Sequence, residues 1–328
     1  MDVLVFGAGS LGSLVGGLLA QRHDVTLVGR DPHVGAVRES GLRVDGAVTA
    51  RTSPTAATAV PDRDGTDRFD LAVVTVKAYD TAAAADALAG RAAALSGPDD
   101  SDAGRTDAVL SLQNGLGNEE TLAAALSCPV LAGTCTYGAR LAEPGRVECT
   151  GVGEVALGPR EGGDADGDSD ADGEESALAE RVGAAFRESG IETTIAADMP
   201  RRLWEKLAVN AGINAPTALA RVENGALVDG PASGTARAAA RETARVARAE
   251  GIDLSDDEAA DAVASVAEAT ARNTSSMRQD IEADRRTEVD AINGAVAERG
   301  ERARVATPVN DTLAALVRAW ERERELRG

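Results

Sequence analysis

Short, uniformly apolar runs alternate with longer helix-like stretches through the first part of the chain. Residues 2–6 (DVLVF) and 24–30 (DVTLVGR) read as strands, with the helical SLVGGLLAQR (13–22) between them. FDLAVVTVK (69–77) is another apolar run of strand length, and YDTAAAADALAGRAAAL (79–95) after it is helical in character. AVLSLQNG (108–115), PVLAGTCTYGA (129–139) and IETTIAADM (191–199) continue the strand pattern. Strands that are apolar on successive residues are covered on both faces, and strands separated by helices form βαβ units. The pattern therefore predicts an α/β fold with a doubly wound parallel sheet. From residue 199 onward the period is helical: 199–214, 231–250, roughly 255–285 and 308–326. The expected division is an N-terminal α/β domain over 1–197 and an all-helical C-terminal domain over 198–328. Within the first, residues 160–176 (REGGDADGDSDADGEES) are acidic and low in complexity, and are expected to form a solvated loop or disordered insertion.

The turn after the first strand carries candidate chemistry. Gly7-Ala8-Gly9-Ser10-Leu11-Gly12 has the spacing G-x-G-x-x-G, which alone is a weak signal. Placed between a strand and a helix it becomes specific for a dinucleotide-binding, Rossmann-type unit. Gly7 permits the tight turn, Gly9 lets a pyrophosphate approach the backbone, and Gly12 lets helix and strand pack closely. The helix N-terminus then faces the phosphate charge. At the end of the second strand stands Arg30, where NAD-selective proteins carry an acidic residue; an arginine suits a 2′-phosphate. The expectation is NADP (NADPH), with Asp31 next in sequence leaving NAD open. In so arginine-rich a chain, Arg30 competes with the reading of a solvated surface residue.

Composition narrows the class. The 328 residues carry 54 acidic and 34 basic side chains, a net charge of −20. Such a surface repels nucleic acid and anionic membranes, so neither is an expected partner. With 43% hydrophobic residues the acidity does not signal disorder; it suits a salt-loving cytosol. There is no apolar run of membrane-spanning length and no basic leader before the first strand, so a cytoplasmic location is expected. Three cysteines without a C-x-x-C pair argue against a zinc site or a disulfide framework. The only histidines are His23 and His33, so proton chemistry in the helical half falls to other side chains.

Arginine supplies nearly all the positive charge. The exceptions are two lysines, Lys77 and Lys206. Lys206, Asn210 and Asn214 are spaced by four, which aligns them on one helix face, while Leu203, Trp204, Leu207, Ala208, Val209, Ala211 and Ile213 around them are apolar. An ammonium and two amides in a row suit a polar ligand rather than an apolar seam. Further on, Asn273 and Ser276 share a side if their segment is helical. Glu288 is one acidic residue among many, and spacing does not single it out.

These blocks resemble the ketopantoate reductase (2-dehydropantoate 2-reductase) family nearly end to end. GAGSLG, VKAYD, LQNGLGNEE, GTCTYGAR, LWEKLAVNAGINAPTAL, NTSSMRQDIEADRRTEVDAING and TPVNDTL occur in the family's order. The resemblance implies reduction of 2-dehydropantoate to (R)-pantoate with NADPH, on the route to pantothenate and coenzyme A. It implies a Rossmann domain followed by a helical domain, with the active site in the cleft between them, and a small 2-oxo acid as the bound partner. By position, Lys206 matches the catalytic lysine. Asn210, Asn214, Asn224 and Ser276 match substrate-binding residues, with Asn273 a further candidate. Lys77 and Asn114 match cofactor contacts, Asn114 also bordering the substrate, and Glu288 matches a glutamate near cofactor and active site. Gly138 stands where the family often has alanine beside the nicotinamide, and Tyr137 where histidine is common. A homodimer is left open. Two rivals remain: a lysine-dependent dehydrogenase of another 2-oxo or 3-hydroxy acid, and a nucleotide-binding regulator without turnover.

Overall fold

A computed structural model describes residues 1–62, 68–90, 105–162 and 170–327. Two compact units are present: residues 1–113 with 117–199, and residues 114–116 with 200–328.

In the first unit the strands are β1 (Asp2–Phe6), β2 (Asp24–Val28), β3 (Leu42–Gly46), β4 (Ala50–Thr52), β5 (Thr55–Ala57), β6 (Leu71–Val74), β7 (Val109–Ser111), β8 (Val130–Cys135), β9 (Gly138–Glu143), β10 (Arg146–Gly151), β11 (Val155–Pro159) and β12 (Thr193–Ile195). The helices are α1 (Ser10–Leu19), α2 (His33–Ser40), α3 (Thr81–Leu88), α4 (Asn118–Ala125) and α5 (Asp170–Glu188). Eight strands form one sheet in the order β12-β11-β8-β7-β6-β1-β2-β5. All neighbours in it are parallel except β8 and β11. Val3 of β1 pairs with Val25 on one side and Leu71 on the other. Winding away from β1 in both directions places the C-terminal ends of β1 and β6 at the point where strand order reverses, the usual ligand position in such sheets. Leu71 to Val74 are fully buried. Sinking each of the Leu71, Val73 and Val74 side chains stabilises the fold by about 1.5–3 kcal/mol.

Two expectations need correction. A second sheet, β4-β3-β10-β9, is absent from the sequence-based pattern. It covers α1 with Leu42, Val44, Val147 and Cys149, so it belongs to the same core. The acidic stretch 160–176 is not all loop: α5 begins at Asp170, with Glu174 and Glu175 near its N-terminal end, where negative charge is favoured. Residues 163–169 of that stretch, and residues 91–95 of the helix expected over 79–95, lie outside the described residues.

His33 ties three pieces of this unit together. The Gly145 amide donates to its Nδ1 (3.0 Å), so Nε2 carries the proton and donates to Ser13 Oγ (2.9 Å). Burial pushes the His33 pKa below 6.5. The neutral ring is therefore the folded form, and its stabilisation is complete above the ordinary histidine pKa. It is lost as pH falls below 6.5, where the unfolded chain takes up a proton and the folded chain resists. Chemical denaturation is expected to show falling stability from pH 7.5 to 5.5. In His33→Gln, about 1 kcal/mol less stable at pH 7.5 for its lost hydrogen bonding, that slope should flatten. Parallel slopes in both proteins would remove His33 from the account.

The second unit holds α6 (Met199–Ala220), α7 (Ser233–Ala249), α8 (Asp256–Ala269), α9 (Ser276–Glu282), a π-helical turn over Asp290–Gly294, α10 (Ala295–Ala303) and α11 (Pro308–Glu323). Alanines 236, 239, 240, 244 and 247 of α7 are buried with Ala259, Val263 and Ala267 of α8, where small side chains let the helices approach closely. Ser255 and Glu258 cap α8 reciprocally. The helix expected over 255–285 is therefore two helices, broken at 270–275. Among the described residues no helix is long and apolar enough to cross a membrane.

Candidate active site

The glycine turn after β1 has two glycines explained by the protein itself. Gly7 has φ +116°, and a Cβ there would lie 2.7 Å from the Val76 amide nitrogen. A Cβ on Gly12 would lie 2.2 Å from the Gly7 carbonyl oxygen and 2.4 Å from Thr75 Oγ1, the hydroxyl that donates to that same carbonyl (2.9 Å). Gly9 differs: its Cβ would meet only the Gly7 carbonyl, at 3.9 Å. Among the described residues nothing requires glycine at that position, whereas a diphosphate drawn against the backbone would. Gly9 is also the N-cap of α1, with no side-chain cap and no acidic residue in the first turn. The first-turn amides and the positive end of the helix dipole are thus left for an external anion. Ala8 is buried, its amide donating to the Val28 carbonyl (2.8 Å), and Leu11 packs against the core. Ser10 Oγ accepts from the Leu141 amide (3.0 Å). The residues fit a dinucleotide.

Around this turn, Arg30 is 86% exposed and its Nη2 lies 3.1 Å from Asp80 Oδ2. Asp31 is occupied locally: its Oδ1 accepts the Gly35 amide (2.9 Å) in the first turn of α2. Lys77 is half-buried and caps the 3-10 turn Ala78–Asp80 at the end of β6. Gly138 has a cause inside the protein, because a Cβ there would stand 2.5 Å from Thr150 Oγ1. Tyr137 is a brace: its hydroxyl accepts from the Glu192 amide (3.2 Å) beside β12, and burial pushes its pKa up.

In the helical unit, α6 buries Trp204, Leu207, Ala208, Ala211, Ile213, Ala215 and Ala218 in the core. Lys206 and Asn210 are half-buried on the remaining face, and Asn214 is buried. Pro216 lies inside the helix and cannot donate to the Gly212 carbonyl. The following residue adds ties of its own: Thr217 Oγ1 lies 2.7 Å from the Ile213 carbonyl and 2.7 Å from Ser275 Oγ. Ser275 caps α9 by accepting the Arg278 amide (3.2 Å). This pair anchors the N-terminus of α9, and with it Ser276, to the end of α6 that bears Asn214.

Asn273 and Ser276 do not share a helix face, because α9 starts at Ser276. The Asn273 carbonyl instead accepts the Asn224 amide (3.1 Å). Asn224 is itself buried, and its Nδ2 donates to Thr270 Oγ1 (2.9 Å) at the end of α8. Asn224 and Asn273 are therefore joined to each other, but by no hydrogen bond to the α6 row.

Asn114 belongs to the helical unit although β7 precedes it in the chain. Gly115, at φ +87°, sits so close to the Ala291 carbonyl that a Cβ would be 2.4 Å away, and the Leu116 amide donates to that carbonyl (3.3 Å). Asn114 Nδ2 thereby reaches Glu288 Oε2 at 3.3 Å. Two residues separated by 174 positions meet as an amide and a buried carboxylate. Thr217 and Ser275 were not legible as site supports; their only signal was a hydroxyl after a proline and a doubled serine before a helix.

The first unit thus holds a glycine turn that fits a diphosphate, and the second, by itself, an ammonium aligned with two amides plus a carboxylate–amide pair. Comparison with known proteins covers both halves of the chain. A family model described as ketopantoate reductase PanE/ApbA matches residues 3–162, and its C-terminal counterpart matches 198–321. The 2-dehydropantoate 2-reductase of Halobacterium salinarum is 44% identical over 330 residues, covering 98% of this chain and all of that protein. A PanE/ApbA family ketopantoate reductase structure from Ralstonia eutropha JMP134 superposes with TM-score 0.81 at 32% identity, over 99% of this chain and 100% of that one. D-mandelate dehydrogenase, solved with NADH and anilino(oxo)acetate, reaches TM-score 0.85 at 26% identity over the full length of both chains. With its two halves matched in order and a full-length relative at this identity, the chain belongs to the ketopantoate reductase family.

Proposed function

We propose that this chain reduces 2-dehydropantoate to (R)-pantoate, using NADPH, in pantothenate and coenzyme A biosynthesis. The carrying observation is the row Lys206, Asn210 and Asn214 on the free face of α6, in a chain that uses arginine for nearly every other cation. Arginine supplies charge but holds its proton; a lysine ammonium can release one.

The unit of residues 1–113 with 117–199 serves as the nucleotide-binding domain and the unit of residues 114–116 with 200–328 as the substrate domain. Gly7, Ala8, Gly9, Ser10, Leu11 and Gly12 hold the diphosphate, with Lys77, Asn114, Gly138 and Glu288 as the further cofactor contacts. The bound nicotinamide supplies a hydride. Lys206 hydrogen-bonds the 2-oxo oxygen, stabilises the charge that develops there and delivers the proton that completes the alcohol. Asn210, Asn214, Asn224, Asn273 and Ser276 orient the carboxylate and hydroxyl of the substrate. Glu288, steadied by Asn114, accepts a substrate hydroxyl.

Arg30 supports the phosphorylated cofactor: it is exposed at the end of β2, while the neighbouring acid Asp31 is engaged by α2. Assays in molar KCl with 2-dehydropantoate, and with NADPH or NADH, test the reading. Turnover with kcat/KM favouring NADPH is expected. In Arg30→Ala that preference should fall about ten- to a hundredfold, the scale of one charge-assisted contact of about 1.5–3 kcal/mol. The likeness to D-mandelate dehydrogenase keeps a second reading in view: reduction of a bulkier 2-oxo acid at the same lysine. A higher kcat/KM with an aryl 2-oxo acid than with 2-dehydropantoate would favour it. Absence of turnover with any 2-oxo acid would refute both.

A further inference from the structure

Glu288 sits outside any α-helix, in a bend between α9 and the π-helical turn. Nothing regular fixes its backbone from the N-terminal side. A different residue does so. Glu321, on α11, is 0% exposed, and its Oε1 accepts both the backbone amide of Thr287 (2.7 Å) and the Thr287 hydroxyl (2.6 Å). Thr287 Oγ1 in turn accepts the Val289 amide (3.2 Å), so the residues on either side of the Glu288 peptide are locked to one carboxylate. On the C-terminal side, the Ala291 and Ile292 amides both reach the Glu288 carbonyl at 3.1 Å.

The clamp has an outer layer. Arg327, beyond α11, pairs with Glu321 Oε2 through Nε and with Asp290 Oδ2 through Nη2 (2.5 Å). Arg318 Nε holds Asp290 Oδ1 at 2.8 Å. Burial alone would raise the Asp290 pKa; the Arg318 and Arg327 guanidiniums outweigh it and hold the carboxyl below its ordinary range. A fully buried carboxylate costs the fold several kcal/mol in desolvation unless its partners are well placed. Here Oε1 is spent on Thr287, the residue before Glu288, and Oε2 on Arg327, the guanidinium that also holds Asp290 two residues after it, an arrangement suited to holding one side chain to a fraction of an ångström.

We propose that Glu321 is a positioning residue for the reaction, acting through Thr287 to set Glu288 against Asn114. The proposal rests on the assignment of Glu288 made above. A role confined to stability would lower the melting temperature but leave kcat and KM per folded molecule unchanged.

The test is a double-mutant cycle on the full chain with Glu288→Gln and Glu321→Gln, reading kcat, KM for 2-dehydropantoate, cofactor Kd and melting temperature. Glu321→Gln is expected to lower kcat/KM by about tenfold, with any change in cofactor Kd no larger than that of Glu288→Gln, and to add less than twofold in the Glu288→Gln background. Thr287→Val should reproduce the loss, and Thr287→Ser, which keeps both hydrogen bonds, should recover most of it. Thr287 variants also carry the test should Glu321→Gln fail to fold. Wild-type kinetics in Glu321→Gln or Thr287→Val, or a full extra loss on top of Glu288→Gln, would overturn the positioning role. Wild-type kinetics in Glu288→Gln alone would instead overturn the role given to Glu288, and with it this inference.

Discussion

Lys206→Ala is expected to cut kcat by about a thousandfold, some 4 kcal/mol of transition-state stabilisation, with the melting temperature and cofactor Kd nearly unchanged. The ammonium is asked to do two things at the 2-oxo oxygen: stabilise negative charge and hand over a proton. Each alone is worth a factor of a hundred or more. The fold should tolerate the change, because Lys206 lies on the half-buried face of α6 and alanine is the best helix former. Lys206→Arg separates the two contributions. It keeps the positive charge but not the releasable proton, so it should recover only a small part of the loss. Stopped-flow single turnovers alongside fluorescence titration of the cofactor distinguish a chemical defect from a binding defect. Turnover in Lys206→Ala within tenfold of the parent would contradict the assignment.

The second large effect lies in the glycine turn, where two alanine substitutions should behave oppositely. Gly12→Ala places a methyl 2.2 Å from the Gly7 carbonyl and 2.4 Å from Thr75 Oγ1, so α1 must move away from β1. Overpacking of this kind costs about 1–3 kcal/mol, a fall of several degrees in melting temperature for a unit of this size. It also displaces the helix N-terminus, so cofactor affinity should fall at least a hundredfold. Gly9→Ala adds a methyl where the protein offers only an ordinary contact at 3.9 Å, and its φ of −86° suits alanine. The apo protein should melt within about a degree of the parent, since no contact changes. Yet NADPH should bind at least tenfold more weakly, about 1.4 kcal/mol, because the methyl enters the space a diphosphate needs. Calorimetric melting and NADPH titration of both variants check the pair. A Gly9→Ala protein that binds NADPH normally would remove the diphosphate from that position.

Much of the first unit was legible because its signals are local. An apolar run, a glycine turn and a helix within twenty residues specify β1, α1 and β2 without long-range information. The β4-β3-β10-β9 sheet was not, since β3 finds its parallel partner about a hundred residues away, Arg43 opposite Arg146, and its strands are short and half-exposed. The α6 row was readable from spacing. The break between α8 and α9 lies in the polar TARNTS (270–275), whose capping residues mark a stop only weakly until Ser275 caps α9 and tertiary ties fix it: Asn224 to Asn273, and Thr217 to Ser275. Glu288 entered only through resemblance, and Glu321 entered from neither route. One carboxylate among 54 carries no mark of burial in its sequence; only the folded position of α11 turns it toward Thr287.

The central claim is that the Lys206 amine serves the carbonyl being reduced. A crystal structure of the full chain with NADP⁺ and 2-dehydropantoate tests it most directly. The expected result is Lys206 Nζ at hydrogen-bond distance, about 2.7–3.1 Å, from the 2-oxo oxygen. A bound substrate whose 2-oxo oxygen is served by another donor, with Lys206 turned to solvent, would contradict it.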